Sequence, residues 1–195
     1  MSLMLSMAAF ALASSISPGP VNIVALGSGA RHGLRASLRH VTGATLGFSL
    51  LLLLIGLGLH QLLRHWPALT QVLHAGGVVF LLYMAWKLAS DRGELADSDA
   101  AAAPSMLAGA TLQWLNPKAW LACVAGVGAF VGEGETGLLW QFTGIYFAIC
   151  YASIASWAWA GSVISQYLSN PGRVRVFNRV LAALLLASAV YLLVG

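Results

Sequence analysis

Long, uncharged or nearly uncharged runs of apolar residues, separated by short polar connections, dominate the chain. Each run has about 19 or more residues, and a helix of that length, rising 1.5 Å per residue, crosses about 30 Å of hydrocarbon. The runs show no period-two alternation of apolar and polar residues, which argues against the strands of a membrane barrel. The pattern therefore predicts an all-α integral membrane protein with six transmembrane helices, at about 3–30, 41–63, 67–89, 106–131, 137–168 and 176–194.

The composition excludes two other classes of protein. Of the 195 residues, 59% are hydrophobic and 8% are charged, and the mean hydropathy is +0.81. A soluble domain carries about 25% charged residues, and a disordered chain combines low hydrophobicity with high charge. The net charge of +4 comes from scattered basic residues that no nucleic-acid motif accompanies. We therefore expect membrane lipid around the chain and no nucleic-acid partner.

The charged residues of the connections predict the orientation of the spans. Arg31, Arg35 and Arg39 follow the first span, and further basic residues border the third-to-fourth and fifth-to-sixth connections. Glu133 and Glu135 lie instead between the fourth and fifth spans. Basic connections are retained on the cytoplasmic side of a membrane. Because the number of spans is even, both termini are predicted to lie outside the cytoplasm.

The polar segment 90–104 divides this single transmembrane domain into two repeats of three spans, about 1–89 and 105–195. Three is odd, so two related halves lie in opposite orientations. Proline occurs inside the first span of each half, and broken helices at matching positions are typical of the binding site of a transporter. We therefore predict two inverted three-helix repeats in which the first helix of each is broken at proline.

The first of these breaks lies at residues 17–22, which read SPGPVN. Its two prolines remove two amide donors and disfavour helical geometry at the residues before them. Pro20 suits the first position of a new half-helix, whose free amides and positive dipole end would point into the break. Asn22 adds a side chain that both donates and accepts hydrogen bonds. We interpret Pro18, Gly19, Pro20 and Asn22 as substrate-binding residues; a proline kink that serves only helix packing is the alternative.

The second break contains Asn116, Pro117 and Lys118, near the centre of the fourth span. A charge at mid-helix costs about 2.5–3.5 kcal/mol on insertion scales, so an intramembrane lysine is a functional candidate by default. Every acidic residue lies outside the six spans, so no carboxylate at that depth neutralises Lys118. The lysine is then neutral through desolvation, satisfied by carbonyls and water, or completed by a bound anionic group. Alternatively, the span begins later and Lys118 reaches the membrane interface.

Together the breaks offer two half-helix N-termini, two asparagines and one lysine, so we assign Asn116, Pro117 and Lys118 to substrate binding as well. These groups suit a carboxylate, and carbonyls freed at the breaks suit an ammonium group. The residues therefore predict a transporter of a small solute that carries a carboxylate, such as an amino acid.

Motifs of other functions are missing from the sequence. The spans hold no acidic residue and no HExxH or GxSxG motif, and the chain has no GxxxxGK[ST] loop. We therefore expect neither an enzyme nor an ATP-driven transporter, and no catalytic residue, metal ion or cofactor. A channel or a non-transporting membrane subunit is the alternative function.

The break motifs resemble those of a known group of transporters. Residues 17–22, followed by GLR at 33–35 and GATLG at 43–47, are similar to the signature half of the LysE/RhtB superfamily of amino-acid exporters. The LNPK sequence at 115–118 is similar to the motif of its second half, and the chain length and six-span layout match as well. The glycines of the GATLG segment are also a packing signal that lets another helix approach closely.

Gly47-Phe48 and YMAWK at 83–87 look most like the cysteine/O-acetylserine exporter branch of that superfamily. Many other members carry an aspartate where this chain has Phe48. That departure speaks against a cationic substrate and removes an obvious carboxylate proton carrier.

The resemblance implies efflux of small neutral amino acids or their derivatives from the cytoplasm of a bacterium across its inner membrane. It implies a secondary antiporter with the proton as the coupling ion. The broken repeats favour alternating access, in which one half rocks against the other around Pro20 and Pro117. Faces of small residues permit a homodimer without requiring one. The histidines near the span ends, including His40, are expected to be exposed to water.

Overall fold

The computed structural model describes residues 2–59, 67–90, 103–131, 134–168 and 170–194. All regular elements among them are helical, which confirms the all-α class for this part of the chain. Most of the predicted linker 90–104, the end of the second predicted span and Glu133 lie outside the described residues. The α-helices of the described part are α1 (Leu3–Ile16), α2 (Pro20–Leu54), α3 (Pro67–Ala89), α4 (Met106–Trp114), α5 (Pro117–Phe130), α6 (Thr136–Ile164) and α7 (Pro171–Val194), with a π-helical turn (Ile55–Leu59) after α2 and a 3-10 turn (Ser165–Tyr167) after α6.

The break in the first predicted span is present where the prolines require it. Helix α1 ends at Ile16, and Ser17, which precedes a proline, has an extended backbone with φ −61° and ψ 138°. Gly19 is also extended, and α2 begins with Pro20 at its first helical position, where the missing amide costs no hydrogen bond. The predicted break between two half-helices is therefore confirmed.

The second break has the same design. Leu115 ends α4 by donating its amide to the Thr111 carbonyl at 3.0 Å. Asn116 is extended, with φ −95° and ψ 105°, and α5 begins at Pro117. Only two residues separate α4 from α5, and of these only Asn116 leaves helical geometry. Both half-helices that follow a break start with proline.

Helix α2 reverses its direction at Gly33. Its φ of 75° with ψ 170° is a conformation that essentially only glycine adopts. The hydroxyl oxygens of Ser28 and Ser37 lie 2.8 Å apart, although nine residues of straight helix span about 13.5 Å. The predicted connection between the first two spans, at about 31–40, is therefore too long. Helix continues up to Gly33 and resumes directly after it.

Two close interfaces of α2, with α4 and with α6, form the centre of the molecule. A Cβ atom at Gly43 would overlap the Met106 carbonyl, and one at Gly109 would overlap the His40 carbonyl. A Cβ atom at Gly29 would likewise overlap the Ala158 carbonyl of α6. These backbones touch without intervening side chains, which confirms that the glycines of the GATLG segment are a packing signal.

His40 is buried, contrary to the expectation of a water-exposed histidine. The second arm of α2 already begins after Gly33, so His40 lies inside the packed part of that arm and is only 1% exposed. The Val21 backbone lies beside the ring, and neither ring nitrogen makes a hydrogen bond of ordinary geometry with another described residue.

The outward faces of the helices carry large apolar side chains, and Val79 and Leu107 are 66% and 76% exposed. Soluble monomers rarely expose large apolar patches, so this surface suits contact with lipid. Two helical stretches, Pro20–Gly58 and Thr136–Tyr167, are long and apolar enough to cross a membrane. Shorter apolar helices are Leu3–Ile16, Ala75–Ala89 and Pro117–Phe130.

Helices α3 and α7 form a separate pair beside this centre. A cluster that includes Leu81, Leu181 and Leu185 holds the pair together, and Ile23 joins it from the first turn of α2. The pair therefore contacts the central helices next to the first break, where it leaves a cavity.

Candidate functional site

Lys118 connects the two breaks. It is the second residue of α5, and its Nζ donates hydrogen bonds to the Ser17 carbonyl at 2.7 Å, the Ser17 hydroxyl at 2.8 Å and the Pro18 carbonyl at 3.4 Å. Three ammonium protons therefore meet three oxygens of the other break. The side chain turns into the protein, and its charge lies at the C-terminal end of α1, where the helix dipole favours a cation.

Two further side chains satisfy the carbonyls that the end of α1 leaves free. Asn22 Nδ2 donates to the Ser15 carbonyl at 2.9 Å and to the Ser17 carbonyl at 2.8 Å. Trp157 of α6 donates its Nε1 to the Ile16 carbonyl at 3.0 Å. Both amide protons of Asn22 are thus in use, so its Oδ1 is the atom that remains for a ligand, and it can only accept.

The N-terminus of α2 is open. Its cap residue, Gly19, has no side chain that could accept a hydrogen bond, and Ile23 is the first residue to donate backward, to the Gly19 carbonyl at 2.9 Å. Among the described residues, no group accepts from the amides of Val21 and Asn22. Two free amides and the positive end of a helix dipole therefore face the break, an arrangement that binds anions.

The N-terminus of α5, in contrast, is capped from within. Asn116 Oδ1 accepts from the Lys118 amide at 3.2 Å, and the Asn116 carbonyl accepts from the Ala119 amide at 2.9 Å. Pro117 has no amide proton to offer. The two half-helix N-termini are therefore not equivalent, and α5 contributes the Lys118 side chain rather than free amides.

A small polar cavity lies between the breaks, with a volume of about 40 Å³. One water needs about 10–15 Å³ on this scale, so the cavity has room for about three waters. Gly19, Asn22, Asn116 and Lys118 from the predicted set line this inner cavity.

A larger cavity of about 490 Å³, mostly apolar, lies between the breaks and the α3–α7 pair. Pro18, Pro20 and Pro117 line this outer cavity. All seven predicted residues thus border the two cavities. Three of them, Gly19, Asn116 and Lys118, line both cavities and so form the boundary between them.

Lys118 is the only charged side chain among the described residues that line either cavity. The remaining polar groups there are neutral amides and hydroxyls, with the Cys150 thiol. A ligand that enters therefore meets one positive charge and otherwise uncharged partners.

Five further polar residues line the inner cavity and were not selected from the sequence pattern: Ser14, Ser15, Gln113, Tyr146 and Cys150. Each lies in a largely apolar stretch of sequence, and Ser14 and Ser15 are neighbours there. Two of them have a position that could have revealed them: Ser15 lies in the last turn before the first break, and Gln113 lies three residues before Asn116. Tyr146 and Cys150 come from α6, and only the fold brings them to the breaks.

Comparison with known proteins identifies the family of the chain. Residues 12–195 match the LysE type translocator family. The chain is 32% identical over 186 residues to the cysteine/O-acetylserine efflux protein of Escherichia coli (strain K12), which covers 93% of this chain and 92% of that protein. It is also 32% identical over 187 residues to the protein of the same name from Salmonella typhimurium (strain LT2), again covering 93% and 92%. No solved structure matches the chain. The chain therefore belongs to the LysE type translocators, and it is a membrane transporter rather than an enzyme.

Proposed function

We propose that this protein is a secondary exporter of small neutral amino acids or their derivatives, such as cysteine or O-acetylserine. The observation that carries the proposal is the Lys118 ammonium, which has only neutral oxygens as partners among the described residues. Those oxygens satisfy its protons without cancelling its charge, so a carboxylate is the natural complement. The name of the relatives, cysteine/O-acetylserine efflux protein, supports this substrate class.

In the proposed binding mode, the substrate inserts between Lys118 and Ser17. Its carboxylate takes the place of the Ser17 oxygens on Lys118 and accepts from the free amides of Val21 and Asn22. Its ammonium group donates to the Ser17 carbonyl that Lys118 has left and to Asn22 Oδ1. In this exchange Lys118 gains the substrate carboxylate in place of the Ser17 oxygens, and the Ser17 carbonyl gains the substrate ammonium in place of Lys118. Both groups therefore keep a hydrogen-bond partner.

The volume of the inner cavity supports a transport cycle with more than one conformation. About 40 Å³ holds about three waters, and an amino acid of seven or more heavy atoms needs more room. In our proposal the two repeats, 1–89 and 105–195, are inverted three-span units within one transmembrane domain. One repeat rocks against the other around Pro20 and Pro117, which opens the site to each side of the membrane in turn.

The location, the coupling ion and the oligomeric state complete the proposed transporter. It lies in the bacterial inner membrane with six crossings, the basic connections in the cytoplasm and both termini outside. An inward proton gradient drives the export as antiport. The small-residue faces leave room for a homodimer.

Efflux and counterflow from proteoliposomes test the proposal. We expect saturable counterflow of radiolabelled cysteine or O-acetylserine by the parent chain and its loss in Lys118→Gln, which retains a donor toward Ser17 but no charge. Asn22→Ala should also lose it, and Lys87→Ala, on an exposed part of α3, should behave like the parent. Unchanged counterflow in both site variants would overturn the site. Flux without saturation or counterflow would instead identify a channel.

A further inference from the structure

Ser15 carries a buried hydroxyl without a well-formed hydrogen bond. The residue lies in the last turn of α1 and is 9% exposed. Its Oγ has the Tyr146 hydroxyl and the Cys150 thiol close by, but it makes no hydrogen bond of ordinary geometry with a described group. Its neighbour Ser14 donates to the Phe10 carbonyl at 2.6 Å, and Ser156 donates to the Ser153 carbonyl at 2.7 Å. Since serines in helices commonly make such bonds to their own backbone, the free hydroxyl of Ser15 is unusual.

Only one of the unpartnered hydroxyls can be reached by a ligand. Within the described part of the chain, the buried hydroxyls without a hydrogen bond are those of Ser15, Thr45 and Ser49. Thr45 and Ser49 are packed inside the α2 interfaces and do not border the inner cavity, whereas Ser15 lines it. A molecule in this cavity therefore finds one hydroxyl that makes no well-formed hydrogen bond within the described part of the protein.

Ser15 also lies next to the groups that hold the substrate backbone in the proposed binding mode. Asn22 Nδ2 bonds to the carbonyls of both Ser15 and Ser17, and the Ser17 carbonyl bonds to Lys118. The hydroxyl is therefore within one helical turn of the oxygens that contact the ammonium of Lys118. A side chain of two or three atoms beyond the substrate Cα covers such a distance.

The wall around Ser15 sets the size and the polarity of what fits. The Tyr146 hydroxyl is paired with the Ser14 hydroxyl at 2.6 Å, and the Tyr146 ring stacks on Phe48 with centroids 4.3 Å apart. Both aromatic rings line the inner cavity, as does the Cys150 thiol. A long side chain would collide with the ring pair, and a charged one would find no charged partner among these residues.

We propose that Ser15 is the specificity residue of this site and recognises a short hydroxyl, thiol or ester side chain of the substrate by a hydrogen bond. The proposal rests on the proposed function, in which Lys118 and the N-terminus of α2 hold the substrate carboxylate. A polar site atom left without a partner disfavours an analogue that lacks the matching group. The site should therefore prefer serine and cysteine over alanine and 2-aminobutyrate, which have similar sizes but no hydrogen-bonding side chain.

The experiment compares ratios of affinity rather than single affinities. Half-maximal concentrations for counterflow are measured with the full chain in proteoliposomes for serine, cysteine, alanine and 2-aminobutyrate. One neutral hydrogen bond corresponds to about a threefold to tenfold preference for serine over alanine. In Ser15→Ala this ratio should fall to about one while the alanine value stays near that of the parent. Ser156→Ala, whose hydroxyl is bonded to its own helix, should retain the parent ratio.

The outcomes separate the two proposals. If Ser15→Ala retains the full preference, Ser15 is not the specificity residue, although loss of all counterflow in Lys118→Gln would still support the carboxylate site. If the parent transports neither these amino acids nor O-acetylserine, the proposed function itself fails. Should Ser15→Ala fold poorly, Ser15→Cys offers a weaker hydrogen-bonding group of similar size, and an intermediate ratio is then expected; an unchanged ratio would again reject the proposal.

Discussion

The Lys118 ammonium lies 2.7 Å from the Ser17 carbonyl oxygen, although 101 residues separate the two in the sequence. The lysine lies in the first turn of one half-helix and caps the end of another, so the two breaks hold each other in position. The same contact occupies the charge that we assign to the substrate carboxylate. Ser17 and the substrate therefore compete for Lys118, and the strength of that competition can be measured.

Ser17→Ala should tighten substrate binding. The substitution removes the hydroxyl that accepts from Lys118 at 2.8 Å and leaves the Ser17 carbonyl in place. The lysine of the empty site then loses one partner, while the proposed substrate-bound state does not need it. We expect the half-maximal concentration for counterflow to fall about threefold to tenfold, the equivalent of one hydrogen bond. A rise in that concentration would mean that the Ser17 hydroxyl itself contacts the substrate.

Asn22→Ala should lower the free energy of unfolding by about 1–3 kcal/mol, because the buried Ser15 carbonyl loses its side-chain donor. Asn178→Ala is a matched control, since Asn178 is also buried but its amide nitrogen donates to no described residue. Thermal or denaturant unfolding in detergent measures both. An equal loss in the two variants would show that Asn22 contributes packing alone.

Much of the helical framework is encoded in local sequence signals. Prolines end and restart helices by steric exclusion and by the missing amide, so the breaks at 17–19 and 115–116 follow from Pro18, Pro20 and Pro117 alone. The lysine stands out because a charge in an apolar run is costly. These signals are local. They are enough to select seven residues, all of which line one or both of the two cavities.

The remaining features depend on contacts between distant segments. No neighbouring residue distinguishes Gly33, where the helix reverses, from an ordinary helical glycine. The sequence pattern therefore predicts only a broad connection of about ten residues. A connection over 31–40 predicts a water-exposed His40, but the chain reverses already at Gly33, so His40 falls within the packed second arm of α2. Tyr146 and Cys150 reach the inner cavity through the packing of α6 against α1 and α2, which hydrophobic periodicity does not specify.

Thr45→Val should leave stability unchanged or raise it by about 1 kcal/mol. The Thr45 hydroxyl is fully buried and has only the Cys150 thiol nearby, with no hydrogen bond of ordinary geometry to a described residue. Replacing it by a methyl group therefore removes a poorly satisfied polar atom. Thr143→Val is the matched control, because the Thr143 hydroxyl donates to the Leu139 carbonyl at 2.8 Å. This control should lose about 0.5–1.5 kcal/mol. Destabilisation of both variants to the same extent in denaturant unfolding would contradict the assignment.

Gly43→Ala should force α2 and α4 apart. An added Cβ atom would overlap the Met106 carbonyl, and backbone atoms at this interface can move only if a whole helix shifts. Overpacking of this kind costs about 1–3 kcal/mol, and we expect a corresponding fall in unfolding free energy together with reduced counterflow.

Gly128→Ala provides the comparison for this interface, because a Cβ atom there meets open space on the exposed side of α5. Alanine is the better helix former by about 0.8–1.0 kcal/mol, so Gly128→Ala should be neutral or stabilising. The two variants make the same chemical change, and any difference between them isolates the close approach of the backbones. Gly43→Ala that is as stable and as active as Gly128→Ala would contradict the close contact of α2 and α4. The two helices would then be apart in the main conformation, and the contact would belong to a minor one.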